Sequence, residues 1–299
     1  GFLGRHLCDE ARAAGLTVVA AGRTARADAP ACDLLDPASV TACVEAVRPD
    51  LVVNMAGAAS VAASWERLEE AFAVNAAGVL NLLGALARSA PGAHVLCVSS
   101  AEVYGEPGEE SLPLAEDLPL EPVTPYGASK AAMEVVCDFY ARGEGPRVAV
   151  VRAFSQIGPG QSAAFPISGF ARQIAAAEQA GAGEVELAIG NRDAARDFTD
   201  VRDAARAFVE ISRRELTGAF NLCTGRALKL GDLIGEMGRE TPLPLRVVSD
   251  PSLRRPVDPA VVYGDPRRLR EATGWEPRIP LSQTLADLLE WWRAELAAA

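Results

Sequence analysis

Buried strands and amphipathic helices alternate along the first half of the chain. Four runs are apolar at nearly every position, as in strands covered on both faces: residues 16–22, 50–57, 93–100 and 147–154. Between them lie helix candidates at residues 37–47, 64–90 and 125–142. Strands separated by helices form βαβ units, so we predict an α/β fold with a Rossmann-like, doubly wound parallel sheet. Ligands of such sheets bind beyond the carboxyl ends of the strands.

The pattern changes after about residue 155. Helical periodicity at residues 167–181, 201–214 and 281–297 is mixed there with short apolar runs at residues 185–189, 219–222 and 245–249. No repeat or low-complexity linker separates the two halves. We therefore predict a smaller α/β lobe, mainly residues 156–299, that packs on the sheet domain, residues 1–155.

The chain begins with a glycine pattern that bears on ligand binding. Gly1-Phe2-Leu3-Gly4 is followed by apolar residues at helical spacing, Leu7, Ala11 and Ala14. This order matches the second half of a G-x-x-G-x-x-G turn and the helix after it, which bind the phosphates of a dinucleotide. We expect the preceding strand and the first glycine to lie upstream of Gly1. The alternative is two ordinary loop glycines.

Composition narrows the range of partners. The 299 residues carry a net charge of −11, and 49% of them are hydrophobic. That hydrophobic share allows a large core and excludes disorder. The negative charge argues against nucleic acid or an anionic membrane as the main partner. No uninterrupted apolar run reaches the about 18 residues that a membrane helix needs, so we expect no membrane span.

Cysteine and histidine positions indicate the compartment and the absence of a metal centre. The six cysteines include no C-x-x-C pair, and the two histidines, His6 and His94, lie far apart in the sequence. Scattered cysteines in a chain of this size are typical of reduced thiols in a cytoplasmic protein. We predict no metal site, because no ligand cluster with metal-binding spacing is present.

The strongest chemical pattern lies at residues 124–130. Thr124 can cap a helix that begins at Pro125, which places Tyr126 in its first turn. Tyr126 and Lys130 are four residues apart and therefore share one helix face. An ammonium group and a helix N-terminus both favour the phenolate, so we expect a lowered Tyr126 pKa and a proton-transfer role. The alternative is a surface lysine near a core tyrosine.

Two hydroxyl side chains end the apolar run at residues 93–100. Ser99 and Ser100 stand where a parallel strand delivers its last residues to a ligand site. A serine there can hydrogen-bond a substrate carbonyl beside a tyrosine hydroxyl. Alone, this pair is a common strand ending. Together with Tyr126 and Lys130, it makes Ser100 a third candidate catalytic residue.

Several motifs occur in an order that resembles a known family. They are GFLG at 1–4, NMAG at 54–57, SSAEVYG at 99–105, YGASK at 126–130, RAFSQIGPGQ at 152–161, RDFTDVRD at 196–203 and RPVD at 255–258. In this order they resemble the extended short-chain dehydrogenase/reductase family, the NAD-dependent epimerases, dehydratases and reductases of nucleotide sugars. The resemblance spans essentially the whole chain. GPGQ at 158–161, FARQI at 170–174 and GDP at 264–266 most resemble the GDP-mannose branch, and within it the GDP-4-keto-6-deoxy-mannose reductases.

The resemblance implies roles for individual residues. Tyr126 would be the general acid/base, Lys130 would bind the nicotinamide ribose, and Ser100 would orient the sugar carbonyl. The first domain would bind the dinucleotide and the second lobe the nucleotide sugar. The implied cofactor-binding residues are Gly1, Gly4, Arg23, Asp33, Leu34, Ala56, Gly57, Tyr126 and Lys130, and the implied substrate-binding residues are Glu102, Ser155, Arg196 and Arg255.

Two arginines explain how a protein with a negative net charge could bind an anionic substrate. Arg196 and Arg255 would meet the diphosphate, because guanidinium groups pair with phosphate oxygens through two hydrogen bonds. The alternative for each is a surface ion pair. Ser155 departs from the family, which has an asparagine that touches the substrate at this position. The identity of the sugar is therefore less firmly implied than the reaction class.

The end of the second apolar run bears on the choice of cofactor. An acidic residue at this point binds the ribose 2′-hydroxyl of NAD, whereas an arginine accommodates the 2′-phosphate of NADP. Arg23 stands there with Arg26 nearby, and no acidic residue lies between the start of this run and Asp28. NADP(H) is therefore favoured, with NAD(H) as the alternative. Arg23 could instead be a solvated turn residue.

The expected function is reduction of the C4 ketone of a GDP-linked 4-keto-6-deoxyhexose. Dehydratases of the family carry an acid or hydroxyl where this chain has Ala101, and alanine cannot shuttle a proton. Glu102 remains, so the dehydratase set is incomplete. Alternatives are a nucleotide-sugar 4-epimerase, a GDP-mannose 4,6-dehydratase, or a non-catalytic dinucleotide-binding regulatory protein. The resemblance also implies a homodimer formed through helices 64–90 and 125–142.

Overall fold

The computed structural model describes residues 1–27, 29–143, 145–254 and 257–298. Within these ranges the helices are α1 (Phe2–Ala13), α2 (Pro37–Val47), α3 (Val61–Glu66), α4 (Leu68–Phe72), α5 (Gly78–Ser89), α6 (Pro125–Ala141), α7 (Pro166–Gln179), α8 (Val201–Arg213), α9 (Leu230–Met237), α10 (Arg267–Thr273) and α11 (Leu281–Ala297). The strands are β1 (Leu51–Asn54), β2 (His94–Ser100), β3 (Arg147–Ala153), β4 (Ser155–Ile157), β5 (Val185–Ile189), β6 (Ala195–Arg196), β7 (Phe198–Asp200), β8 (Gly218–Leu222), β9 (Leu228–Lys229), β10 (Leu245–Ser249) and β11 (Val261–Val262).

A four-stranded parallel sheet in the order β1-β2-β3-β8 forms the centre of the larger part. Helices α2, α5 and α6 cover one face through a core that includes Leu83, Leu86 and Met133. Helices α1, α8 and α10 cover the other through Phe208, Leu269 and their neighbours. The predicted parallel sheet with helices on both faces is confirmed. Ser100 lies opposite Ala153 in the register, so the ends of β2 and β3 reach the same edge of the sheet.

The predicted strand at residues 16–22 is wrong for this structure. Residues 16–21 run without helix or strand structure, and a single bridge joins Gly22 to Ala31. A strand is held by ladder hydrogen bonds to a neighbour, and apolar character alone does not supply one. In the described part of the chain β1 pairs only with β2, and this segment has no ladder partner. Leu16 and Val19 are consequently left partly exposed.

The predicted helix at residues 64–90 is interrupted. Ser60 caps α3 by accepting a hydrogen bond from the Ala63 N–H at 3.1 Å, and the non-helical backbone of Arg67 separates α3 from α4. A single π-helical turn, Ala73–Ala77, then joins α4 to α5. Helical periodicity alone could not show either break, because apolar residues recur on one face throughout.

The helical run Leu68–Ser89 is long and apolar enough, by length and composition, to cross a membrane. In the structure 44% of its 18-residue apolar window is buried. Leu82, Leu83 and Leu86 on this run lie in the core with α2, α6 and the sheet. This packing is that of a core helix, and one such run is weak evidence for a membrane span.

The second half of the chain forms a separate layer and also completes the first. β5 and β10 pair in parallel, and α7, α9 and α11 pack on them around Ile174, Leu187 and Leu288. β8, however, leaves this layer and pairs with β3 in the main sheet. Residues 156–299 therefore build the smaller layer and one edge of the larger one. The division at residue 155 stays a prediction about function.

Candidate active site

A cleft of about 2110 Å³ runs along the carboxyl ends of the strands and continues between the two layers. Its walls include most residues singled out from the sequence: Gly1, Gly4, Arg23, Asp33, Leu34, Ala56, Gly57, Ser100, Glu102, Tyr126, Ser155 and Arg196. Lys130 lies behind this surface, buried under Tyr126 and β2. Arg255 lies outside the described residues.

The start of α6 holds Tyr126 at the cleft wall. Thr124 caps the helix, since its Oγ1 accepts a hydrogen bond from the Gly127 N–H at 3.0 Å. Ser64 Oγ accepts the Tyr126 N–H at 3.1 Å. One of the free N–H groups in the first turn of the helix is thereby satisfied, so the backbone of Tyr126 is fixed from two sides.

Ser100 and Tyr126 meet through their hydroxyl groups. Ser100 is the last residue of β2, and its Oγ also accepts the Glu102 N–H at 3.2 Å. Burial raises the pKa of Tyr126 to about 12, opposed by the hydrogen bond with Ser100 and reinforced by the nearby Glu102 carboxylate. The expected lowering of this pKa is therefore wrong. Burial, which the sequence pattern does not reveal, dominates.

Lys130 lies over the ring of Tyr126 and bonds the backbone of β2. Its Nζ donates to the Val98 carbonyl at 2.8 Å and lies 5.9 Å from the centre of the Tyr126 ring. Burial lowers the pKa of Lys130 to about 8 and outweighs the opposing effect of Cys97, Cys137 and Glu134. Tyr126 is thus a protonated phenol at neutral pH, the form that a proton donor requires.

Asn75 is a site residue that sequence reasoning missed. It is fully buried in the π-helical turn and donates to the Ala58 carbonyl at 3.2 Å and to Ser129 Oγ at 2.8 Å. Its Oδ1 accepts the Ala58 N–H at 3.0 Å. A Cβ on Gly57 would lie only 2.8 Å from that oxygen. The sequence signal that could have identified Asn75 is an amide side chain inside an otherwise apolar helical run.

The cofactor end of the cleft has the features of a dinucleotide site. The first turn of α1 opens onto the cleft, and a Cβ at Gly1 would meet no atom within 4 Å. Free N–H groups of such a turn bind phosphate. Asp33 Oδ1 accepts the Leu35 N–H at 3.0 Å, which fixes the loop that follows Cys32. Arg23 stands exposed at the same end. These residues fit a dinucleotide.

The substrate end of the cleft contains Arg196 in an ion pair. Arg196 Nη2 lies 2.6 Å from Asp258 Oδ1, and Asn191 also donates to Asp258. The ion pair expected as the alternative is therefore present, although Arg196 still lines the cleft. Ser155 lies beside it on β4, where its N–H donates to the Asp197 carbonyl at 3.0 Å.

Asp197 anchors the substrate end and was also missed as a site residue. Its carboxylate accepts the Thr224 hydroxyl and the N–H groups of Thr224 and Gly225 at 2.6–2.9 Å. Burial raises the pKa of Asp197 against these hydrogen bonds. The acid therefore fixes the turn after β8 against the end of β6, the strand that carries Arg196. A buried acid that follows an arginine has no distinctive sequence pattern.

Thiols and metal ligands complete the description of the site. All six cysteines are free, and four of them are buried. Within the described ranges, no group of three or more histidine, cysteine or acidic side chains is placed to hold a metal ion.

Comparisons with known proteins match the chain over nearly its full length. The family model for GDP-mannose 4,6 dehydratase matches residues 12–288. The chain is 35% identical over 300 residues to the GDP-6-deoxy-D-mannose reductase of Pseudomonas aeruginosa, covering 99% of this chain and 95% of that protein.

Solved structures are also similar to the chain over nearly its full length. The structure of RMD from Pseudomonas aeruginosa complexed with NADPH superposes with a TM-score of 0.87 at 33% identity, covering 99% of this chain and 96% of that one. The Thermus thermophilus UDP-glucose 4-epimerase complex with NAD superposes with a TM-score of 0.84 at 26% identity, covering 98% and 96%.

Proposed function

Because the chain belongs to the GDP-mannose 4,6-dehydratase family of NAD(P)-dependent nucleotide-sugar enzymes, we propose that it is an NADPH-dependent reductase. Its substrate in this proposal is a GDP-linked 4-keto-6-deoxyhexose, whose C4 ketone becomes an alcohol. The observation that carries the proposal is the meeting of the Ser100 and Tyr126 hydroxyls at the cleft wall. It occurs in a chain 35% identical over 99% of its length to a GDP-6-deoxy-D-mannose reductase.

The chain's own residues handle the carbonyl oxygen in this reaction. A bound NADPH supplies the hydride that carbon C4 receives. Tyr126, protonated at neutral pH, donates its phenolic proton to the oxygen as negative charge develops there. Ser100 donates a hydrogen bond to the same oxygen. Preorganised donors of this kind contribute about 3 kcal/mol each where charge develops. Lys130, whose Nζ donates to the Val98 carbonyl behind the cleft wall, would hold the ribose hydroxyls of a bound cofactor and stabilise the negative charge left on Tyr126.

The cofactor in this proposal lies between α1 and the ends of the strands. The first turn of α1, from Gly1 to Gly4, binds the pyrophosphate, and Arg23 binds the 2′-phosphate that distinguishes NADP from NAD. Asp33 and Leu34 flank the adenine. Ala56 and Gly57 form the wall beside the nicotinamide half. NAD(H) is the second cofactor that this family uses, and a structure with NAD is among the matches.

The substrate in this proposal extends from Tyr126 to the second layer. Glu102 and Ser155 contact the hexose or its first phosphate, and Arg196 binds the diphosphate while sharing its charge with Asp258. We assign the same diphosphate role to Arg255. Ser155 is shorter than the asparagine of the family, so it leaves more room beside the sugar.

A second candidate function is an internal redox cycle, as in a 4-epimerase or a GDP-mannose 4,6-dehydratase. The matching family model and the epimerase structures favour this candidate. Ala101 argues against the dehydratase, since it offers no group to remove water from the ring. A non-catalytic dinucleotide-binding protein is less favoured, because serine, tyrosine and lysine are all in place.

The test follows NADPH absorbance at 340 nm with GDP-4-keto-6-deoxy-mannose, generated in place from GDP-mannose by a separate dehydratase. We expect NADPH oxidation that depends on the keto-sugar. Turnover of a nucleotide sugar by protein with tightly bound NAD(P), without net absorbance change, would establish the epimerase or dehydratase instead.

We further propose that the protein is a cytoplasmic homodimer. Phe139 and Val135 on α6 are 70% and 69% exposed, and Leu80 and Phe72 on the neighbouring helical run are also exposed. Large apolar side chains clustered on adjacent helices mark a protein interface. A second copy of this chain, joined through the regions 64–90 and 125–142, would cover them. The six free thiols support the compartment.

A further inference from the structure

A buried ion pair lies directly behind the catalytic wall. Arg152 on β3 and Glu134 on α6 are 6% and 5% exposed, and Arg152 Nη2 lies 2.8 Å from Glu134 Oε2. Arg152 Nε donates to both oxygens of Glu134 at 3.1 Å. The pair keeps the pKa of Arg152 well above its ordinary value, through the hydrogen bond and charge of Glu134 and despite burial.

Both members of the pair form further hydrogen bonds with neighbouring polar groups. Arg152 Nη1 donates to the Tyr104 hydroxyl at 3.0 Å and to the Glu116 carbonyl at 2.9 Å. Tyr104 in turn donates to Asn221 Oδ1 at 2.7 Å. Ser99 Oγ donates to Glu134 from the other side. We call Ser99, Tyr104, Glu134 and Arg152 the polar clamp.

Stability alone does not explain the polar clamp. Removing two charges from water costs several kcal/mol per ion, and replacing a buried pair with apolar side chains of similar volume is often neutral or stabilising. Leucine and methionine would fill this space at lower cost. Charges at this depth fix geometry more than they stabilise the fold, because their hydrogen bonds accept only one arrangement of the surrounding elements.

Each arm of the polar clamp ends on an element that carries a catalytic residue. Glu134 lies one helical turn after Lys130 on α6. Ser99 immediately precedes Ser100 at the end of β2, and Tyr104 ends the 3-10 turn (Ala101–Tyr104) that follows Ser100. Arg152 joins these two elements from β3.

We propose that Glu134, Arg152 and Tyr104 are positioning residues, which hold α6 against β2 so that the Tyr126 and Ser100 hydroxyls converge on one substrate oxygen. This inference rests on the proposed use of these hydroxyls in the reaction. Glu134, Arg152 and Tyr104 do not line the cleft, so they act through the elements that they join. Its effect is on kcat, because a displacement of about 1 Å between reacting groups lowers the rate about 100-fold.

The test replaces the pair by apolar side chains. The double variant Glu134→Met/Arg152→Met removes both charges and leaves neither unpaired. We expect its thermal midpoint to fall by a few degrees, because the Ser99 hydroxyl and the Glu116 carbonyl lose their partners. Its KM for the nucleotide sugar and its Kd for NADPH should change less than about 2-fold, and its kcat should fall about 10- to 100-fold.

The control removes another glutamate–arginine pair, which is more exposed and lies outside the cleft. Glu178 and Arg293 join α7 to α11 with Arg293 Nε 2.7 Å from Glu178 Oε2, and neither side chain lines the cleft. Glu178→Met/Arg293→Met should keep the wild-type kcat. Wild-type kcat in the Glu134→Met/Arg152→Met variant would overturn the proposal and leave the polar clamp a purely structural device.

Two further measurements keep the proposal testable. If the double variant does not fold, Tyr104→Phe removes only the hydroxyl between Arg152 and Asn221; we expect a several-fold lower kcat with unchanged KM, and an unchanged kcat would refute the inference.

The variants are assayed in whichever reaction the wild type catalyses, keto-sugar reduction or UDP-glucose epimerisation. Epimerisation alone would refute the proposed reductase while still testing the clamp. A wild type inactive in both refutes both.

Discussion

At the scale of single residues, the site depends on how burial sets protonation. Tyr126 and Lys130 are both buried, and burial moves their pKa values apart, up to about 12 for the phenol and down to about 8 for the ammonium. Each shift favours the neutral form, as desolvation requires. The protein therefore keeps a protonated acid at the cleft wall and a lysine that loses its proton readily behind it.

Tyr126→Phe tests the acid. The variant keeps the ring that packs at the cleft wall and loses only the hydroxyl. We expect kcat to fall about 100- to 10,000-fold, the contribution of general acid catalysis, while NADPH binding measured by fluorescence stays within about 2-fold. Tyr140→Phe, which removes a hydroxyl outside the cleft, is the control. Turnover in Tyr126→Phe equal to that of the control would exclude the acid role.

Lys130 gives stability a pH dependence of defined sign. Its pKa is lowered from 10.5 to about 8 on folding, so between these values the unfolded chain binds the extra proton and stability rises with pH. Below pH 8 the full cost of the buried charge remains. We expect the advantage of Lys130→Met over the wild type in urea unfolding to shrink by about 1–2 kcal/mol from pH 7 to pH 9.5. A pH-independent difference would contradict the shift.

The sequence predicts some site residues and not others, for physical reasons. Ser100, Tyr126 and Lys130 follow from strand ends and helix spacing, which are local, and the structure brings Ser100 and Tyr126 together. The pKa of Tyr126 could not be predicted, since burial depends on the whole fold. Asn75 and Asp197 could not be predicted for a related reason, because their hydrogen-bond partners lie 17 or more residues away in the sequence.

At the scale of elements, the π-helical turn couples one helix to the site. Asn75 in that turn satisfies both backbone groups of Ala58 and reaches Ser129 on α6. The extra residue of a π turn re-aims a side chain that an uninterrupted helix would point elsewhere.

Asn75→Ala should both destabilise the protein and disturb the cofactor wall. The substitution leaves the half-buried N–H and C=O of Ala58 and the buried hydroxyl of Ser129 without this partner, and an unpaired buried polar group costs about 1–3 kcal/mol. We expect the free energy of unfolding in urea to fall by about 2–4 kcal/mol and NADPH to bind more weakly. Gln179→Ala, which removes an amide that donates to the Leu296 carbonyl away from the cleft, serves as the control. Unchanged NADPH affinity would separate Asn75 from the cofactor site.

The exposed apolar face of α6 should determine the oligomeric state. Phe139→Asp places a charge where the proposed second copy packs, and a buried unpaired charge is costly. We expect a dimer for the wild type and a monomer for Phe139→Asp by size exclusion with light scattering. Leu253→Asp, an exposed leucine in the other layer, should stay dimeric. A monomeric wild type would refute the dimer.

Element predictions succeeded where local pattern and tertiary context agree. The runs at 93–100 and 147–154 became β2 and β3, because central strands are apolar on both faces and have partners on both sides. The equally apolar run at 16–22 did not form a strand, since ladder pairing is a property of two segments. The run at 64–90 was broken by the backbone of Arg67 and by the π turn, neither of which changes the apolar period.

At the scale of the whole molecule, the two halves of the sequence share one sheet. β8 comes from the second half and covers the edge of β3, and α8 packs on α1 and the same sheet. The sequence predicted the fold class and the family, both confirmed. It did not predict this crossover, because a short strand at 219–222 looks the same in either layer.

A fragment of residues 1–155 should therefore fail to fold alone. Without β8, α8 and α10, the edge of β3 is unpaired and one face of the sheet keeps only α1 as cover. We expect the fragment to aggregate or to lack a cooperative urea transition by circular dichroism, whereas the full chain unfolds in one step. A soluble fragment with a cooperative transition would show that the first half is an autonomous domain.

Because β8 lies far along the chain from β3, the main sheet is completed late during synthesis. About 65 residues separate the end of β3 from the start of β8. At the usual 5–20 residues per second, the ribosome needs roughly 3–13 seconds to make them. During that interval the nascent chain presents the apolar strand β3 with one unpaired edge. An unpaired apolar edge can pair with other chains. We therefore expect chaperones that act at the ribosome to bind the nascent chain until β8 emerges.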